Sequence, residues 1–205
     1  MIFQTVNGIP LNFHTSNNVF SPNHLDPGTL AMLSVVSLND HDKLLDLGCG
    51  YGLVGIYAAK IISPENITMC DISEECVNLS MQNCKSNHTE GIPVLVSDGL
   101  DSIDDKNFTL ILSNPPYHAD FSVPKKFIED SYKKLAPNGK MYMVTKRKDW
   151  YKNKFINTFG GVKICYIDNY YIFIGEKKTA VLKMVKNKKN ISKKLARKMR
   201  KFATK

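Results

Sequence analysis

Several features are missing from this 205-residue chain, and each absence narrows what it does. No apolar run approaches the roughly 20 residues that cross a bilayer as a helix, so no membrane span is expected. The opening stretch, MIFQTVNGIPLNFH, carries no basic start and no long apolar core. A signal peptide is therefore not expected, and a cytoplasmic location is. The five cysteines, Cys49, Cys70, Cys76, Cys84 and Cys165, form no CxxC pair and no His/Cys cluster with zinc-like spacing. Free, buried thiols are the expectation, with no metal site. No segment repeats another.

Acid is also missing from the C-terminal part. Residues 177–205 hold 13 Lys/Arg and no Asp or Glu, whereas the remainder holds 15 Lys/Arg against all 19 acids. The formal net charge of +9 therefore belongs to an appended tail on a mildly acidic body. Such a tail suits a polyanion: nucleic acid, or an anionic membrane surface. Within it Ile191, Leu195, Met199 and Phe202 recur at helical spacing among lysines and arginines. That pattern describes a basic amphipathic helix that docks on the body, lies on a membrane, or orders only on its target. The expected organisation is one domain over 1–177 with an N-terminal arm, and a Lys/Arg-rich extension over 178–205. At 43% hydrophobic and 23% charged residues, the composition suits a single packed core.

What is present alternates. After an extended arm and a short helix over 29–38, strands are expected at 43–48, 66–72, 93–98, 108–113 and 140–145. Helices are expected at 53–62, 74–86, 125–136 and 149–159, the 125–136 helix being stopped by Pro137-Asn138-Gly139. Two last strands, 162–168 and 170–177, flank Asn169 as an antiparallel hairpin. Strands separated by helices imply an α/β fold with a mostly parallel sheet, and ligands bind beyond the carboxyl ends of its strands.

Chemistry-bearing residues gather at those ends. LLDLGCGYGLVG runs from the first strand into the loop after it. Gly50-x-Gly52-x-x-Gly55 fits a dinucleotide loop, with Asp71 ending the next strand. Asp46-x-Gly48-x-Gly50-x-Gly52 fits the DxGxGxG loop that holds S-adenosylmethionine. An acid at the strand end attracts a sulfonium cation and repels a pyrophosphate, which favours the methyl donor. Asp71 is placed to accept from ribose hydroxyls, and Asp98 from an adenine amino group. Either acid alone is as readily a helix cap or a loop acid. SNPPYH closes the strand FTLILS. Its prolines fix a stiff, non-helical corner that presents one amide, carbonyls outside any ladder, and an aromatic ring.

With these residues in place, the chain resembles the class I S-adenosylmethionine-dependent methyltransferases that carry an NPPY motif, over roughly residues 10–177. VFSPNHLDPGTLAML is further similar to a segment of the small-subunit ribosomal RNA guanine-N2 methyltransferases, with Phe20, Asp26, Gly28 and Thr29 on the pattern. The resemblance implies a Rossmann-like, seven-stranded sheet with an antiparallel edge hairpin. It implies catalysis by Asn114, Pro115, Pro116 and Tyr117. The Asn114 oxygen and the Pro115 carbonyl would accept from the target amine, and Tyr117 would stack on a flipped-out base. It implies a cofactor site of Asp46, Gly48, Gly50, Gly52, Asp71, Ile72, Asp98 and Gly99, closed by Thr29 and Asn114. The substrate would be guanine N2 in 16S ribosomal RNA, free or in the small ribosomal subunit. Protein-glutamine and adenine-N6 methylation share the motif and stay open. So does a non-catalytic RNA-binding or assembly factor, distinguished by the absence of any methylated product.

Overall fold

The computed structural model describes residues 1–17, 19, 21–116 and 120–179. Tyr117, Phe20 and the tail helix expected over 191–205 lie outside the described residues.

The N-terminal arm is a β-hairpin, β1 (Ile2–Val6) against β2 (Ile9–Phe13). Asn7 and Gly8 form its turn with φ of 47° and 84°, the two-residue geometry that matches strand twist. The Asn-Gly pair is a local signal for this hairpin that the expected extended arm left unused. α1 (Pro27–Leu33) follows, shorter than the periodicity suggests. Asp26 caps it and Pro27 occupies the first turn, where a missing N–H costs nothing.

The main sheet has seven strands: β3 (Leu44–Leu47), β4 (Ile67–Asp71), β5 (Val94–Val96), β6 (Phe108–Ser113), β7 (Leu135–Thr145), β8 (Lys163–Ile167) and β9 (Tyr170–Glu176). Their order is β5-β4-β3-β6-β7-β9-β8, with β9 alone running against its neighbours. The expected closing hairpin forms, turning through Asp168 and Asn169 at φ of 48° and 66°. α2 (Leu53–Ala58), α3 (Glu74–Ser86), α4 (Ser122–Lys134) and α5 (Asp149–Phe159) make the crossovers.

One boundary differs in kind. Pro137-Asn138-Gly139 does not separate helix from strand; it lies inside β7. The pairing of β6 with β7 jumps from Phe108↔Leu135 to Leu110↔Lys140, so these residues bulge out of register. Asn138 N–H donates to the Lys177 carbonyl (2.7 Å) and Lys177 N–H to the Gly139 carbonyl (2.9 Å), which closes the bulge.

Strand alternation divides the core between two faces. Leu44, Leu110, Leu112, Tyr142 and Val144 pack with the hairpin, α1 and α2 on one side. Leu45, Ile111, Met141 and Met143 pack with α4 and α5 on the other. Both faces are covered, which explains why the central strands read as continuous apolar runs. The order reverses between β3 and β6, so a crevice opens between their carboxyl ends.

Candidate active site

The Gly loop leaves β3 after Leu47 and turns through Gly48, Gly50 and Gly52, with φ of 75°, 58° and 91°. Alternate left-handed residues let the chain fold back within one turn before α2 begins. The loop amides have protein partners. Gly48 and Cys49 N–H both donate to the Cys70 carbonyl at 2.9 Å, and Gly52 N–H to the Cys49 carbonyl at 2.9 Å. Gly50 N–H donates to Asp71 Oδ2 at 2.9 Å, while Ser73 N–H donates to Asp71 Oδ1 at 3.0 Å. A pyrophosphate needs free N–H groups at this point, and these four are occupied.

α3 supports the loop from behind with buried polar side chains. Ser80 Oγ–H donates to the Gly50 carbonyl at 2.9 Å, and Asn83 Nδ2 donates to the Tyr51 carbonyl at 2.8 Å. The same Asn83 amide brackets β2's outgoing chain, accepting from His14 N–H (2.7 Å) and donating to the His14 carbonyl (2.9 Å). One turn on, Asn87 does the same to Asn12, at 3.1 Å and 2.6 Å. Sequence reading missed Ser80, Asn83 and Asn87. The available signal was polar residues on the face of α3 that also carries Val77 and Cys84.

A cleft of about 360 Å³ lies over these strand ends. Asp46, Gly48, Gly50, Asp71, Ile72, Asp98, Gly99, Thr29, Asn114, Pro115 and Pro116 all line it. Gly52 does not; a side chain there would meet Ile56 Cδ1 at 3.0 Å and Ser80 Oγ at 3.1 Å, so it serves the packing of α2 on α3. Gly55 likewise allows α2 onto β4, since a Cβ would fall 2.3 Å from Met69 Sδ. Phe127 of α4, which the sequence did not single out, forms one wall beside Gly48 and Gly99.

The floor is acidic. Asp46 is buried, and its Oδ2 accepts from Gly55 N–H at 3.0 Å. Burial pushes its carboxyl up to about 7, opposed by the Gly55 hydrogen bond and reinforced by the charge of Asp71. Beside it Ile72 is 69% exposed although it lines the cleft, an uncovered apolar face at the mouth. Asp98 lies exposed at the far rim, 3.3 Å from Lys126 Nζ, which also holds Asp101 at 2.7 Å. Lys126 is thus placed between two acids. The Cys49 thiol is pushed up by burial and then by Asp46, and Cys70 by burial to about 12, so both are unreactive.

Opposite the acids, Asn114 follows β6. Its Nδ2 donates to Asp26 Oδ2 at 2.6 Å and to Thr29 Oγ1 at 2.8 Å. Asp26 Oδ2 also accepts from Thr29 N–H (2.6 Å) and Thr29 Oγ1–H (3.1 Å). An ionised carboxylate only accepts, so it dictates which end of the amide faces it. Asn114 Oδ1 is left buried with no hydrogen-bond partner among the described residues. Pro115 is buried behind it and Pro116 is exposed. Thr29 therefore joins the cleft through Asn114, on the side away from Asp71.

A doubly wound sheet with an acid-floored cleft at its switch point defines a fold for small nucleotide-like ligands, and one in which the amides of Gly48, Cys49, Gly50 and Gly52 are already taken. The Methyltransferase small domain family matches residues 10–174, and the chain belongs to it. Ribosomal RNA small subunit methyltransferase C of Mannheimia succiniciproducens is 33% identical over 150 residues, covering 71% of this chain and 44% of that protein. Ribosomal RNA large subunit methyltransferase G of Psychromonas ingrahamii is 30% identical over 169 residues, covering 78% and 44%. The chain thus spans less than half the length of these two relatives. Among solved structures, the 16S rRNA N2 G1207 methyltransferase (RsmC) of T. Thermophilus, in complex with AdoMet and guanosine, superposes with a TM-score of 0.80. It is 22% identical, over 86% of this chain and 50% of that one, and shares the fold.

Proposed function

We propose that this chain methylates guanine N2 in small-subunit ribosomal RNA, using S-adenosylmethionine. The observation that carries the reading is Asn114: a buried acceptor without a partner among the described residues, on an amide whose other end is pinned by Asp26 and Thr29. A buried oxygen left unpaired costs about 1–3 kcal/mol, which an incoming N–H donor recovers.

The cleft fits the cofactor. Asp46 offers a buried carboxylate to a cation, Asp71 an ionisable acceptor to hydroxyls, and Ile72 an apolar face to a base, with Asp98 and Gly99 at its edge. When bound, the cofactor supplies a methyl group activated on a sulfonium. The chain's own residues deal with the nucleophile. An exocyclic amine is weak because its lone pair is delocalised into the ring. Asn114 Oδ1 and the Pro115 carbonyl accept hydrogen bonds from its two N–H groups, favour a pyramidal nitrogen, and stabilise the positive charge that grows there. Pro115 and Pro116 keep those acceptors stiff, and Tyr117 supplies a stacking ring for a base taken out of its helix. No side chain has to remove a proton before transfer.

The relatives named for small-subunit and large-subunit ribosomal RNA methyltransferases support an RNA substrate. The body over 1–177 would carry the chemistry and the basic extension over 178–205 would hold RNA. The test is methyl transfer from labelled S-adenosylmethionine to unmodified small and large subunits, followed by digestion and mass spectrometry of the nucleosides. N2-methylguanosine in small-subunit RNA is expected. The same product only in large-subunit RNA would move the target, methyladenosine would overturn the base, and label only in protein would overturn the RNA substrate.

A further inference from the structure

Beyond the cleft, the carboxyl edge of the sheet changes character. Acids occupy its β3–β5 half, at Asp46, Asp71 and Asp98. On the other half β7 ends at Thr145, and Lys146, Arg147 and Lys148 follow as three consecutive exposed cations. Because β9 runs antiparallel, it begins at this same edge: Thr145 pairs with Tyr171, and Tyr166 of β8 pairs with Tyr171 from the other side. The topology thus gathers bases and rings from four separate segments.

Each cation lies over a ring. Lys146 Nζ is 5.1 Å from the centroid of Tyr170, Arg147 Cζ is 5.0 Å from Phe121, and Lys148 Nζ is 5.5 Å from Tyr171. One such contact thus falls on each of three consecutive residues. Phe121 stacks on Trp150 at 4.5 Å and 24°, and Tyr166 leans on Tyr171 at 4.7 Å. Phe121 is 37% exposed and Tyr166 59% exposed, so ring surface remains open to solvent.

We infer that this rim, from Phe121 and Trp150 to Tyr166, is the track for single-stranded RNA that flanks the target base. The inference rests on the RNA reading above and adds where the strand runs. Cations meet phosphates, and open ring faces meet unstacked bases, a combination that duplex RNA does not satisfy because its base faces are covered. Asn114 stands at the end of β6, between the acidic half and this rim. From β6 to β8 the sheet spans three strand spacings, roughly 14 Å. The negative half repels the backbone from the cofactor side, so the strand has one direction in which to leave the site.

The test uses the full chain, a short fluorescein-labelled single-stranded RNA of mixed sequence, and its duplex. In the combined variant Lys146→Gln, Arg147→Gln, Lys148→Gln, single-strand affinity falls about tenfold or more. The slope of log affinity against log salt becomes shallower by about 2, three phosphates at roughly 0.7 each. Tyr166→Ala lowers single-strand affinity about fivefold or more, as expected for a lost stack, with the slope unchanged. Cofactor affinity by calorimetry stays at the wild-type value in both, which shows that the fold is intact. Unchanged RNA affinity and slope in the triple variant overturn the rim, as does rim-dependent binding to phosphatidylserine vesicles with RNA binding retained. If the wild-type chain methylates no RNA yet the triple variant loses RNA affinity, the methylation reading fails and the rim stands. If the wild type methylates RNA and the triple variant binds it normally, only the rim fails.

Discussion

Asn114 is a residue whose value depends on which way its amide faces. In the proposed reaction, an amide rotated by half a turn would present N–H groups to the target amine and repel it. Asp26 prevents this, and Asp26 is also the N-cap of α1. Two substitutions separate the roles. Asn114→Ala should lower turnover at least about 100-fold, in line with loss of one oxyanion-type contact, while cofactor binding by calorimetry is retained. Asp26→Ala should cost about 1 kcal/mol of stability through the lost cap and lower kcat through a freed Asn114. Normal kcat in Asp26→Ala would mean that Thr29 and the prolines suffice to hold the amide. At the same scale, Asp71→Ala should weaken cofactor binding by more than tenfold, because it removes an acceptor and also frees Gly50 N–H. An unchanged Kd would remove Asp71 from the cofactor site.

Among the elements, α3 has the least expected task. Asn83 and Asn87 act as lateral partners to the chain at Asn12 and His14, and Asn83 reaches the Gly loop as well. The hairpin is therefore bound to the loop through one helix face. Asn83→Leu would keep the helix and roughly the volume but strand three backbone groups: His14 N–H, His14 C=O and Tyr51 C=O. A loss of about 3 kcal/mol or more is expected in urea unfolding, since each stranded group costs about 1–3 kcal/mol. An unchanged midpoint would show that the hairpin docks by apolar contact alone. That role was not legible in the sequence because amide side chains on a helix read as solvent-facing until the partner strand is in place.

At the scale of the whole molecule, the two halves of the sheet edge differ in charge, and the acidic half couples binding to pH. The folded chain holds Asp46 protonated up to about 7, against 3.8 for an ordinary carboxyl. Between those values the folded state binds more protons than the unfolded chain. This group therefore makes stability fall as pH rises through that window and contributes nothing further above it. A cation bound beside Asp46 reverses the bias and releases a proton near pH 7. Calorimetric heats of cofactor binding should accordingly depend on the buffer's ionisation enthalpy, and Asp46→Asn should remove that dependence. Buffer-independent heats in the wild type would place the sulfonium away from Asp46.

The order of strands and helices, the loop at β3 and the Asn-Pro-Pro corner were all determined by the sequence itself. Apolar periodicity, glycine and proline act over a few residues, so their consequences are local and readable. Where the sequence misled, a second local rule competed: Pro137-Asn138-Gly139 stops helices and also makes bulges, and only the pairing partner chose between them. The tertiary structure alone decided what meets across the chain. Asn114 is oriented by a carboxylate 88 residues away, the Gly loop is supported by a helix 32 residues on, and β9 returns to place its tyrosines beside Lys146 and Lys148. Hydrogen bonds and cation–ring contacts have a reach of a few ångströms, and which distant groups come within it is set by how the sheet and helices pack.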